Sequence, residues 1–372
     1  MGWGLTKRGL GRRAALAAAG VIVIAALPVG GGVRATEGPS VAPSRAYGDS
    51  SPFNRPLSGS RREHPRSAAI VARTVGFGAP DSLVAGQAGS ADDWGRPTYR
   101  STAGDPLFTL RCTKAWGRCE VEGERIRVPD AARVPGGSDG HMTVLDEASG
   151  WEYSFWRVQD KPRGGGVLKL AWGGKTRIDG DGLGAAATAA RFGNRAGLVR
   201  AEELEAGEIN HALVMVVSCD SGKAIYPAAA SGRVCSSIGK SNEDAPAMGT
   251  RYQLDMSDAE IKALKVPDWK RAILRAAARY GMFVGDTGSG GWSLKEESGL
   301  TYTSFGRSDR WVDLAKAEGV PYDEQSGRWI FNLSDGVDWA KRLRIVHPCE
   351  TRGTCSTEPR PWQFDSPDPV ER

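Results

Sequence analysis

The chain has 372 residues, of which 40% are hydrophobic and 25% charged, with 49 glycines; that composition can build a core and excludes a chain disordered throughout. The formal charge of +5 is a local feature: residues 1–35 hold Lys7, Arg8, Arg12, Arg13 and Arg34 and no acid, and without them 44 basic residues face 44 acidic ones. A global basic footprint for nucleic acid is thereby excluded.

Four of those cations precede an apolar run of 16 residues, Ala14 to Val29, and Val33-Arg34-Ala35 offers small or aliphatic residues to a peptidase. This three-part layout predicts a secretory signal over 1–35. The run falls short of the about 20 residues of a membrane span, so no membrane association is expected after cleavage. Arg12-Arg13 also admits the twin-arginine route. The stretch 36–67, rich in Pro, Ser, Gly and Arg, reads as a flexible leader. A single domain is expected over 68–355 and a Pro-rich tail over 356–372.

Short alternating or β-branched segments predict strands at 107–110, 125–128, 141–145, 151–158 and 167–172. His211 to Val217, apolar on both faces, predicts a central strand; 251–254, 282–284, 300–305 and 329–333 add more. Ser257 with Glu260 forms a capping box. Pro267 and Gly281 bracket a helix with Trp269, Ile273, Ala276, Ala277 and Tyr280 on one stripe. Glu202 to Ala206 and Ser308 to Glu318 are further helical stretches. The fold class expected is β-rich, a jelly-roll-like β-sandwich with a few flanking helices.

All six cysteines follow the signal segment, at separations of seven (Cys112, Cys119), sixteen (Cys219, Cys235) and six (Cys349, Cys355). An exported chain keeps such pairs oxidised, and the spacings predict three local bridges. A zinc site is the rival reading, but no C-x-x-C pair supplies its ligand spacing.

Of four histidines, His141 and His211 open strands, where loops build sites. Asp139 and His141, two apart, share a face on an extended backbone, and with His211 they make a candidate metal set. Asp179-Gly180-Asp181-Gly182 lacks the later acids of a calcium loop and reads as a turn. Glu203 precedes His211 closely enough to exchange a proton with it. Asp286, between glycines at the end of a buried strand, is placed for a reactive carboxylate. No zinc-protease helix, Walker loop or dinucleotide fingerprint is present. Trp94, Trp116, Trp151, Trp156, Trp172, Trp292, Trp311 and Trp329 fall at turns and strand ends; most fill the core, and a few are expected as sugar-stacking platforms.

The phrases Gly140-His141-Met142-Thr143-Val144-Leu145-Asp146, Trp151 to Trp156, Gly197-Leu198-Val199-Arg200 with Glu203, Glu208 to Leu213, Pro246 to Arg251, and Tyr280-Gly281-Met282 with Asp286 resemble a family of secreted bacterial proteins of the actinobacterial type. The resemblance covers the stretch from Asp139 to Ser289 and implies functional roles for His141, Glu203, His211, Arg251 and Asp286. Some relatives carry an acid where Ser154 stands and an Asp near Thr188, which puts an activity resting on those acids in doubt here.

The reading is a secreted, disulfide-stapled, monomeric protein acting on extracellular polysaccharide or cell-wall glycan, with no cofactor. His211 with Glu203 or Asp286 would move protons, beside His141, and Arg251 would hold a carboxylate or hydroxyl. The alternatives are a non-catalytic glycan-binding or envelope protein, and a metal-dependent jelly-roll enzyme at Asp139, His141 and His211.

Overall fold

The computed structural model describes residues 45–57, 61–288 and 290–356. The expected signal segment, the leader before residue 45 and the tail from 357 lie outside the described residues.

In chain order the strands are β1 (Leu83–Ala85), β2 (Thr98–Ser101), β3 (Leu107–Cys112), β4 (Arg125–Arg127), β5 (Met142–Asp146), β6 (Trp151–Asp160), β7 (Gly166–Arg177), β8 (Leu213–Val217), β9 (Arg251–Leu254), β10 (Met282–Thr287), β11 (Trp292–Leu294), β12 (Tyr322–Asp323), β13 (Arg328–Phe331) and β14 (Leu343–Ile345). They make a six-stranded sheet of order β2-β5-β6-β7-β3-β4, a five-stranded sheet β11-β8-β10-β9-β14 and a three-stranded sheet β1-β13-β12. Eight short helices are described: α1 (Ser67–Val75), α2 (Ala201–Glu205), α3 (Asp258–Ala263), α4 (Asp268–Arg279), α5 (Leu300–Thr303), α6 (Arg310–Ala317), α7 (Trp339–Arg342) and α8 (Pro348–Arg352). The molecule is β-rich, as expected.

The sheets are mixed. β8 with β10, β2 with β5, and β3 with β7 pair in parallel. A jelly roll is built from antiparallel strands, so that finer expectation is not confirmed. The parallel β8–β10 pair arises because β9 and helices α3 and α4 lie between them in sequence, a crossover connection. β8 is flanked by β10 and β11 and is thus an interior strand of its sheet.

Two apolar cores result. One gathers the five-stranded sheet, α1, α2, α4 and α6, with Trp269, Trp292, Trp311 and Phe331 among its large side chains. The other lines one face of the six-stranded sheet with Tyr99, Phe108, Met142, Val144, Tyr153 and Phe155. Alternation along β6 decides which residues go there: Tyr153 and Phe155 enter the core, so Glu152 and Ser154 project from the opposite face. The three expected disulfides, Cys112–Cys119, Cys219–Cys235 and Cys349–Cys355, are all formed. Such bridges fit an oxidising compartment, and among the described residues no helix is long and apolar enough to cross a membrane.

Two expectations need correction. The leader does not extend to residue 67. Tyr47 and Phe53 are buried, the Asn54 amide donates to the carbonyls of Ala46 and Gly48 at 2.8 and 2.9 Å, and α1 begins at Ser67. Two aromatic anchors outweigh the polar composition of that segment. Residues 300–305, expected as a strand, instead hold helix α5, with the Ser298 hydroxyl accepting from the Leu300 N–H at 3.1 Å. That local side-chain bond overrides the β-propensity of Thr301, Tyr302 and Thr303.

Candidate functional site

Asp286 lies in β10 where the register against β8 slips between Val284 and Asp286. A bulge of this kind re-aims a side chain. The Asp286 Oδ1 accepts the backbone N–H groups of Ala189 (3.3 Å) and Thr287 (3.0 Å), which fixes the carboxylate. Its Oδ2 accepts from the Arg96 guanidinium at 3.2 Å. The Arg96 side chain is 8% exposed and that of Asp286 18%, so Asp286 is the more exposed member of the pair.

The same Arg96 Nη2 donates to His141 Nε2 at 3.3 Å, and His141 Nδ1 donates to the Phe155 carbonyl at 3.3 Å. This pattern selects one neutral tautomer. Burial, then the positive charges of Arg96 and Lys295, hold the His141 pKa well below its ordinary value. His141 is thus a fixed neutral acceptor.

Lys295 follows β11 and is fully enclosed. Its ammonium donates to the carbonyls of Ala196 (3.2 Å) and Gly193 (3.4 Å). Burial and then the neighbouring Arg96 push its pKa well below the lysine range, against the opposing pull of Asp286 and Glu152. Burial raises the Asp286 pKa, while Arg96 and Lys295 restrain it. Burial thus works against the charged form of both groups, and their opposite charges work for it.

Glu152 closes the group from the six-stranded sheet. It is wholly buried and accepts from the Tyr47 hydroxyl (2.9 Å), the Ser154 hydroxyl (3.1 Å) and the Arg195 N–H (3.3 Å). Tyr47 reaches it through a slot that glycine keeps open: a Cβ on Gly193 would stand 2.1 Å from the Tyr47 hydroxyl. Asn194 donates from its backbone to Ser154 at 3.0 Å and ties the segment down.

The expected site therefore divides. Asp286 and His141 come together, joined by Arg96. Glu203 and His211 meet elsewhere: His211 Nε2 lies 2.9 Å from Glu203 Oε1, Arg200 donates to that oxygen at 2.7 Å, and His211 Nδ1 is 2.9 Å from the Ala212 carbonyl. Glu203 also accepts the Arg200 N–H at the start of α2. This acid is spoken for by a helix start, one guanidinium and one imidazole. Arg251, expected to grip a ligand, is buried with its guanidinium donating to the main-chain carbonyls of Tyr280 and Arg55, and burial lowers its pKa to about 9. It stands over the Phe283 ring at 4.8 Å, a packing role.

The expected metal set is not assembled either. Asp139 accepts the Trp156 indole N–H at 3.1 Å and His211 is held by Glu203. Among the described residues, the His, Cys, Asp or Glu group that gathers tightly is His347 with Cys349 and Cys355, and those cysteines are a disulfide.

Asp139 instead links the charged group to an aromatic stack. Trp116 lies against Trp156 with ring centroids 5.4 Å apart and planes 22° apart, and Trp172 lies 5.8 Å from Trp116. Trp116 is 62% exposed and Trp94 50%; Trp292 and Trp311 are core residues.

Arg96, Glu152 and Lys295 escaped the sequence reading. Lys295 sits beside Glu296 and Glu297, which reads as a solvated charge run, although burial pushes Glu297 up to about 7. Glu152 was legible only as a polar residue inside an otherwise aromatic strand. No known protein-family model, curated protein or solved structure matches the chain.

Proposed function

We propose that this is an exported glycan-acting enzyme in which Asp286 transfers the proton, positioned and tuned by Arg96, His141 and Lys295, with Trp116 and Trp156 as the sugar-stacking face. The observation that carries the reading is a partly exposed aspartate braced by one buried guanidinium, with the charge of one buried amine acting on it. A carboxyl with a raised pKa serves as acid or base. The fixed Arg96 guanidinium stabilises the carboxylate left when Asp286 gives up its proton.

The resemblance to secreted bacterial proteins supports the same place. Ser154, where relatives carry an acid, donates to Glu152. Thr188, near a second such position, donates to the Phe192 carbonyl at 3.1 Å and precedes Ala189, whose N–H binds Asp286. With hydroxyls at both places, Asp286 is the acid left to carry an activity here, and one that rests on the relatives' acids would be absent. The second reading, glycan binding without turnover, is favoured by the exposed Trp116 alone.

Reducing-end and unsaturated-product assays over a polysaccharide panel decide between them. The wild-type chain is expected to cleave at least one member, and Asp286→Asn, with an unchanged melting temperature, to lose about 100-fold or more in kcat. Binding without product from any member leaves the second reading; undiminished turnover in Asp286→Asn ends the assignment of the proton to this residue. A hydrolase releases saturated ends and a lyase unsaturated ones.

A further inference from the structure

We infer that the groove beside the Asp139–His141 loop is a subsite for an acidic polysaccharide, whose carboxylate or sulfate groups are held by Arg133, Lys161 and Arg163. This deepens the glycan reading above and rests on it.

The groove encloses about 750 Å³, within the range of ligand-binding clefts. One wall is the turn that carries Arg133, and the other is the β6–β7 connection that carries Lys161 and Arg163. Its inner end adjoins the charged group: Val134 and Val158 line the groove, and both lie within 3.5 Å of where a Cβ on Gly140 would stand. Gly140 is the residue between Asp139 and His141.

The walls are held in place. The buried Tyr99 hydroxyl donates to the Arg133 carbonyl at 2.6 Å and accepts from the Arg133 N–H at 3.2 Å and the Ser304 hydroxyl at 3.0 Å. The Gly164 N–H donates to the Asp130 carboxylate at 2.7 Å, clamping one wall to the other.

Two of the cations, Lys161 and Arg133, are anchored on neutral groups. Lys161 donates to the Asp130 carbonyl at 2.9 Å and stands 5.3 Å over the Phe108 ring. Arg133 donates to the Thr303 hydroxyl at 2.7 Å. The acids lining the groove are engaged: Asp160 pairs with Lys169 at 3.7 Å, and Asp130 accepts from Gly164. Lys161 has its pKa lowered by burial and by the like charge of Arg163, against the support of Asp130. Like charges held near each other repel, and a bound anion relieves that repulsion. Polymer fits better than a small anion because the charges are spread along an open groove whose inner end adjoins Asp139, the residue that holds the indole of Trp156 in the aromatic stack.

The test is calorimetric binding of polygalacturonate, chondroitin sulfate and neutral dextran to the wild-type chain, to Lys161→Gln/Arg163→Gln and to Asp286→Asn. Expected are binding of at least one acidic polymer that weakens with salt, no comparable binding of dextran, and a loss of about tenfold or more in the double variant. The two acidic probes separate carboxylate from sulfate recognition. Equal binding of dextran, no binding of either acidic polymer, or an unchanged affinity in a folded double variant overturns the inference. Asp286→Asn keeps the binding if the groove is a subsite. Turnover that survives Asp286→Asn while groove variants lose binding sinks the proton assignment and leaves the subsite standing.

Discussion

Glu203 is the residue whose sequence neighbourhood pointed to chemistry and whose surroundings point to stability. Burial alone would raise its pKa, but His211 and Arg200 hold it down to about 2. A carboxylate depressed in the folded state stabilises above its unfolded pKa, and that contribution is lost as pH falls through the folded value. The window therefore runs from the ordinary glutamate range down to about pH 2, and the gap corresponds to roughly 3 kcal/mol. Glu203→Ala leaves the buried His211 ring without its partner and the Arg200 guanidinium with Glu202 alone, and is expected to cost about 3–5 kcal/mol, measured by urea unfolding at pH 7. The acid limb of the stability curve should flatten in that variant, and kcat per folded molecule should not change. A fully stable Glu203→Ala protein without turnover would return the Glu203–His211 pair to the reaction.

The loop closed by Cys112–Cys119 is the element that separates recognition from stability. It carries Lys114 and Trp116, whose ring is stacked on Trp156. Cys349–Cys355 closes a loop of similar length, with sequence separations of 7 and 6, so loop entropy predicts a similar loss of about 2–3 kcal/mol when either bridge is replaced by two alanines. Only the Cys112→Ala/Cys119→Ala variant is expected to weaken polysaccharide binding, because only that loop holds an exposed indole in register. Equal affinities in both variants would remove Trp116 from the recognition surface. At this scale the sequence was largely legible: alternation marks β3, β5, β6 and β7, and Ser257 with Glu260 caps α3 as expected. Three things escaped it. Helix α5 starts from a Ser298 hydroxyl contact that no propensity reveals. The parallel pairings depend on which strands meet after long crossovers, and period-2 patterns are blind to partner choice. Arg96, Glu152 and Lys295 come from separate strands or their ends, and the sequence distance between Arg96 and Lys295 hides that the latter's titration feels the former.

At the level of the whole molecule, a polar seam joins two apolar cores. Glu152 and Ser154 reach out from the six-stranded sheet, Tyr47 comes from the N-terminal strap, and Asp286 and Lys295 belong to the five-stranded side. Buried charges in such a place seldom stabilise a fold beyond what well-packed apolar residues of similar volume would give, so their retention needs a functional reason or a failure of that rule. Asp286→Asn/Lys295→Met removes the acid and the amine together and leaves Arg96 with the opposing charge of Asp139. The double variant is expected to unfold at equal or higher denaturant, a gain of roughly 0–4 kcal/mol, while product release disappears. Stability given up for activity is the ordinary mark of a working site. A loss of more than about 3 kcal/mol in the double variant would mean instead that the seam holds the two cores together, and that Asp286 and Lys295 serve the fold before any substrate.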